Sequence, residues 1–152
     1  MRRLAERGTH FTKAWAQSPV CQPSRASLIT GQYPTDHGLV RNFDGDFDAE
    51  WPTFMKSLQA VGYHTANIGK THYLGSKELD ASSAPMNSDD WVTDIQAFGF
   101  DDVVEEFDQH VHVSPGFRSP YLDYLYADGL LDRYLTMIRS VMPFTEGHWK
   151  GI

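Results

Sequence analysis

The residues best placed to do chemistry lie at 21 to 31, CQPSRASLITG, where the chain's single cysteine precedes a proline, a serine and an arginine. A side chain at the start of a helix sits near unpaired backbone N–H groups and the positive end of the helix dipole. That position favours an anion, whether a thiolate, an alkoxide or a bound oxyanion. Arg25, one turn further on, could return its guanidinium to the same point and grip a tetrahedral oxyanion. Residue type and spacing alone leave a second reading open, in which Cys21 is a buried free thiol and Arg25 an exposed surface side chain.

For the first reading a helix must begin close to Pro23. Proline suits a first turn, Ala26, Leu28 and Ile29 supply apolar surface, and Gly31 stands at the stop position. Upstream, residues 1–7 read as the end of a short helix stopped by Gly8, and residues 9–16 as a strand carrying Phe11 and Trp15. Downstream, Pro34 to Asp48 is turn-rich and polar. Pro52 to Val61 is expected to be a helix with Phe54, Met55, Leu58 and Val61 on one face and Gly62 closing it. Tyr63 to Ile68 reads as a strand ending at Gly69-Lys70, Gly75 to Asp90 as a surface loop, and Val103-Val104 as a further short strand. Pro120 to Val141 gives two helical stretches broken near Gly129. This alternation predicts an α/β sandwich with a largely parallel sheet.

The bulk numbers bound the function. At 152 residues, 41% hydrophobic and 22% charged, the chain suits one globular domain and excludes a disordered or fibrous one. The formal net charge is -7 and no lysine- or arginine-rich run occurs, which argues against a nucleic-acid partner. An anionic substrate would need a few cations to converge locally. One cysteine excludes an internal disulfide framework and a cysteine-rich zinc site. The first residues, MRRLAERGTHF, hold no apolar run of signal-peptide length, and no apolar stretch is long enough to span a bilayer.

Cys21-x-Pro23-Ser24-Arg25, extended through Ser27, Leu28, Thr30 and Gly31, resembles the signature of the type I, formylglycine-dependent sulfatases of the alkaline phosphatase superfamily. Gly62, Tyr63, Thr65, Gly69, Lys70 and His72 match a second signature of that family, in the same order along the chain. LAERGTHFTKAW before the cysteine, TGQYPTDHG after it, FGFDD at 98–102 and SPYLDYLYADGLLDRY near the end are similar to it as well.

The resemblance implies an alkaline-phosphatase-like α/β sandwich, incomplete here, with residues 1–152 a partial amino-terminal catalytic domain. It implies a sulfuric ester hydrolase in which a modifying enzyme converts Cys21 to formylglycine. The hydrate of that aldehyde attacks the sulfate ester sulfur, and sulfate leaves by elimination. Arg25 would hold the diol, and Lys70 would contact the diol and a sulfate oxygen of the substrate. His72 would serve as the base for the elimination. Calcium is the implied cofactor, with Cys21 as formylglycine one of its ligands, since a diol offers hard oxygen where a thiolate is soft.

The substrate would be a small-molecule or saccharide sulfate ester. Alternatives are a formylglycine-dependent phosphonate or phosphodiester hydrolase and a non-catalytic relative of the fold. The family's remaining metal-binding aspartates, a leaving-group histidine and a further lysine match nothing in this chain, so the isolated chain is expected to be inactive. Relatives occur in periplasmic, secreted and lysosomal settings as well as in the cytoplasm, so the resemblance fixes no compartment.

Other chemistry-bearing residues are weaker candidates. Asp44, Asp46, Asp48 and Glu50 alternate but lack the glycine and distal glutamate of a helix–loop–helix calcium site, so they read as a solvated acidic loop. His110 and His112 would share one face of a strand, without an evident third ligand, as surface or cleft residues. Ser24 and Thr30 are expected to cap the helix or to be read by the modifying enzyme. His37 has no assigned role.

Overall fold

The structure, a computed structural model, describes residues 2–76, 87–109, 111–114 and 116–141. Helix α1 (Arg2–Arg7) is exposed throughout, and the chain then runs without helix or strand, through several bends, to α2 (Cys21–Thr30). Gly31 closes α2 at φ 72°, a left-handed conformation that glycine adopts without a Cβ clash. One helical turn, α3 (Pro34–His37), follows, and then α4 (Phe54–Gln59).

Strand β1 (Ala66–Ile68) precedes a 3-10 turn (Ser88–Trp91) that runs into α5 (Val92–Gln96). Strand β2 (Asp102–Val104), a 3-10 turn (Val111–Val113), α6 (Pro120–Ala127) and α7 (Leu131–Val141) complete the chain order. The strands pair in parallel, with Ala66 opposite Asp102 and Ile68 opposite Val104. Parallel pairing needs a crossover, and α5 lies within it. The mixed helices and small parallel sheet match the expected α/β class.

Aromatic rings dominate the core. Phe47 stacks on Tyr73 at 4.8 Å between ring centres, and Phe98 meets Tyr73 edge-on at 5.2 Å. Trp91, Phe107 and Phe117 form a second edge-on series at 4.9 and 5.5 Å. Such geometries place the positive ring edge against the negative face. Ala26, Ile29, Met55 and Ile95 fill the space between with almost no exposure.

Three expectations change. Residues 9–16 form no strand: Phe11 is 75% and Trp15 83% exposed, and no described strand lies alongside to take their backbone hydrogen bonds. Helix α4 starts after Thr53 rather than at Pro52, because Thr53 Oγ1 accepts from Lys56 N at 3.3 Å. Of the four apolar residues expected on its one face, Met55 is buried and Phe54 is exposed, while Val61 is exposed beyond the helix, which ends at Gln59. His112 sits in a 3-10 turn, not a strand, and is buried; His110 lies outside the described residues, as does 77–86 of the expected surface loop.

Candidate active site

Cys21 is the first residue of α2, with Val20 as the N-cap and no side-chain cap. Its side chain is exposed, which fits a reacting group better than a buried thiol. The helix start offers fewer amides than the spacing suggests. Gln22 N donates to Asn42 Oδ1 at 2.9 Å, and Pro23 has no N–H. Charge stabilisation near Cys21 therefore falls mainly to side-chain cations.

Those cations come together across the chain. Arg25 is half-buried, and its Nη1 donates to the carbonyl oxygen of Lys70 at 2.6 Å. Lys70 is itself far from a solvated surface lysine: its side chain is 16% exposed and its ammonium pairs with Asp108. The two signature blocks are thus joined by one charge-assisted hydrogen bond. His72, two residues on, is 3% exposed and packs against Phe43 with ring centres 5.3 Å apart. Its φ of 55° puts a non-glycine residue in the left-handed region, at a cost of about 1–2 kcal/mol. That strain must be offset by the contacts that hold the turn.

Residues without an expected role supply those contacts. Glu105 Oε1 accepts from Thr71 N at 2.9 Å, between Lys70 and His72. Glu105 is 2% exposed, and burial pushes its carboxyl up to about 7, against the opposing effects of Thr71 and of the Arg25 charge. Gln22, fully buried, donates from Nε2 to the Gly45 carbonyl at 2.5 Å. It also packs on Gly75, where a Cβ would lie 2.6 Å from Gln22 Nε2. The motif residue Thr65 links the second block to FGFDD, accepting from Asp101 N at 2.9 Å through its carbonyl and donating through Oγ1 to Gly99 O at 2.6 Å.

The weaker candidates resolve into structure. His37 Nε2 lies 3.0 Å from Ser27 Oγ and Nδ1 accepts from Leu39 N at 3.2 Å, which braces α3 on α2. Thr30 Oγ1 donates back to Ala26 O at 2.7 Å, so it finishes α2 rather than capping its start. Asp44 accepts from Val40 N and Arg41, and Asp48 from Glu50 N, so both shape local turns, while Asp46 accepts from Ser76 N, 30 residues away. His112 bridges Tyr134 Oη at 2.6 Å and Glu106 Oε1 at 2.8 Å, beside a groove of about 400 Å³.

Among the described residues no group of three or more histidine, cysteine, aspartate or glutamate side chains is arranged to hold a metal ion. A calcium ion takes about six to eight oxygen ligands. The described residues therefore do not make a calcium site by themselves. No helix among the described residues is long and apolar enough to cross a membrane.

A family model described as Sulfatase matches residues 1–142. The chain is 31% identical over 95 residues to the choline-sulfatase of Rhizobium meliloti (strain 1021), covering 62% of this chain and 18% of that protein. It is 35% identical over 91 residues to the N-acetylglucosamine-6-O-sulfatase of Bacteroides thetaiotaomicron, covering 60% of this chain and 15% of that protein. Human steryl-sulfatase is 40% identical over 80 residues, covering 46% of this chain and 14% of that protein. The match thus spans less than a fifth of each relative.

Proposed function

The chain belongs to the sulfatase family, and from that premise we propose that it carries the nucleophile and cationic part of a sulfuric ester hydrolase site. The observation that carries the reading is the Arg25–Lys70 hydrogen bond, which draws the cysteine block and the lysine–histidine block into one place. Oxidised to formylglycine by a modifying enzyme, Cys21 would supply a hydrated aldehyde oxygen as the nucleophile toward sulfur.

The side chains around it have separable tasks. Arg25 places a permanent positive charge one turn from Cys21 and fixes the Lys70 peptide. Lys70 offers an ammonium to a sulfate oxygen, and its pairing with Asp108 orients that ammonium. His72, held in a shielded turn against Phe43, is the proposed proton acceptor when sulfate is released. Calcium enters only as an ion held largely by residues other than these, and no step is assigned to it. The substrate class is a small-molecule or saccharide sulfate ester.

The test is hydrolysis of paired aryl sulfate and aryl phosphodiester substrates by the full-length gene product carrying residues 1–152, produced in its native host. Preference for the sulfate ester supports the reading. Preference for the diester sinks it in favour of a phosphorus hydrolase, and no turnover of either favours a non-catalytic relative.

A further inference from the structure

We propose that Glu105 is a positioning residue of this site, whose buried carboxyl group holds the Lys70–Thr71–His72 turn in register with Arg25. The inference deepens the proposed function and rests on it for its catalytic consequence. The single peptide unit that joins Lys70 to Thr71, just before the left-handed His72, is pinned from both sides: its carbonyl by Arg25 and its N–H by Glu105. A third anchor, Asp108, holds the Lys70 ammonium from the same segment that follows β2. Glu105 and Asp108 thus act on the backbone and on the side chain of the turn, respectively.

The pin is chemically unusual. Glu105 commits one oxygen to Thr71, while Oε2 is buried and has no hydrogen-bond partner among the described residues. A buried carboxylate in that state is costly unless a positive charge faces it. Besides the Thr71 amide, the groups that act on it are the Thr71 side chain and Arg25 from α2, which favour the charged form, and Glu106 on its own segment, which opposes it. Tyr73 feels both the Arg25 and Glu105 charges, and burial pushes its hydroxyl up to about 12, so it stays neutral at working pH. With the Glu105 carboxyl near 7, protonation replaces the carboxylate by a neutral acid and weakens its acceptance from Thr71 N. The turn would then loosen as pH falls through neutrality.

The experiment follows the Thr71 amide resonance and the Glu105 carboxyl carbon resonance by NMR across pH 5 to 9, roughly two units either side of that midpoint, in the full-length protein and in Glu105→Gln. Both wild-type signals should titrate together near pH 7, and Glu105→Gln should abolish the Thr71 titration. A Thr71 amide signal that does not follow the Glu105 carboxyl, or a Thr71 titration that persists in Glu105→Gln, overturns the proposal. If that variant does not fold, the two wild-type midpoints decide alone: coincidence supports the proposal and divergence overturns it.

Turnover supplies the catalytic arm. Glu105→Gln should lower kcat about tenfold or more and flatten its acid limb while KM moves less than about threefold. An unchanged kcat and pH profile overturns the positioning role. A wild-type protein that hydrolyses no sulfate ester sinks the proposed function and leaves the NMR arm to judge the Glu105–Thr71 link.

Discussion

Arg25 and Lys70, 45 residues apart, meet through a 2.6 Å hydrogen bond from the guanidinium to the lysine's own backbone carbonyl. The contact spends a charged donor on main chain rather than on a carboxylate. It leaves the Lys70 ammonium to Asp108 and fixes the peptide from which that ammonium projects. The site's cations are therefore placed by backbone as much as by charge.

Replacing Arg25 by lysine keeps the charge but loses the planar fork that reaches the Lys70 carbonyl. Arg25→Lys should destabilise the protein by about 1.5 kcal/mol or more, as expected for a lost charge-assisted hydrogen bond. It should also cut kcat on a sulfate ester by about a hundredfold. Urea denaturation and steady-state kinetics check the two effects separately.

Gly99 and Gly129 form a contrasting pair. Both adopt positive φ, at 102° and 68°, but a Cβ on Gly99 would lie 2.6 Å from the Lys56 backbone nitrogen, whereas one on Gly129 meets nothing within 4 Å. Gly99→Ala should cost about 3 kcal/mol or more, since strain and a backbone clash add. Gly129→Ala should cost only about 1 kcal/mol. Denaturation midpoints of the two variants decide, and equal losses would show that the Gly99 contact relaxes freely.

His64 Nε2 donates to Asp102 Oδ2 at 2.6 Å, and that hydrogen bond raises its pKa above the usual 6.5. A raised histidine pKa contributes stability fully below the unfolded value, and that contribution is lost as pH rises through the folded one. NMR titration should place the His64 midpoint above 6.5, and Asp102→Asn should bring it back down.

His37 behaves in the opposite sense. Burial holds its pKa below 6.5, so the unfolded chain binds the proton more readily. Stability should be full above the unfolded value and fall as pH drops below about 6.5 toward the folded pKa. His37→Gln should flatten that part of the pH–stability curve, measured by urea unfolding at successive pH values.

Much of the fold could be read from local signals. The Gly31 stop, the break between α6 and α7 near Gly129, and the places of the two short strands follow from turn residues and apolar runs that act over a few positions, although the strand expected over 63–68 begins only at Ala66. Residues 9–16 carry a strand-like pattern, but a strand needs a hydrogen-bonding neighbour, and none is described beside them. The start of α4 moved because Thr53, a better cap, stands next to the proline that suggested one.

Of the candidate site, Cys21, Arg25, Lys70 and His72 could be singled out because they sit in two compact motifs. Glu105 and Asp108 were not, since their contacts cross 34 and 38 residues and a carboxylate near a strand end carries no pattern of its own. Gln22 was equally silent, although the Gly75 that makes room for it lies just beyond the second block. Long-range polar anchors are decided by tertiary packing, which local periodicity does not encode.

The most direct test concerns the state of Cys21 itself. Mass spectrometry of the Cys21–Gly31 peptide, from protein purified out of its native host, reads whether the thiol has been exchanged for an aldehyde. Conversion to formylglycine is the expected result, confirmed by reactivity toward a hydrazide probe. An unmodified thiol throughout that native material would contradict the proposed nucleophile and the sulfatase chemistry built on it.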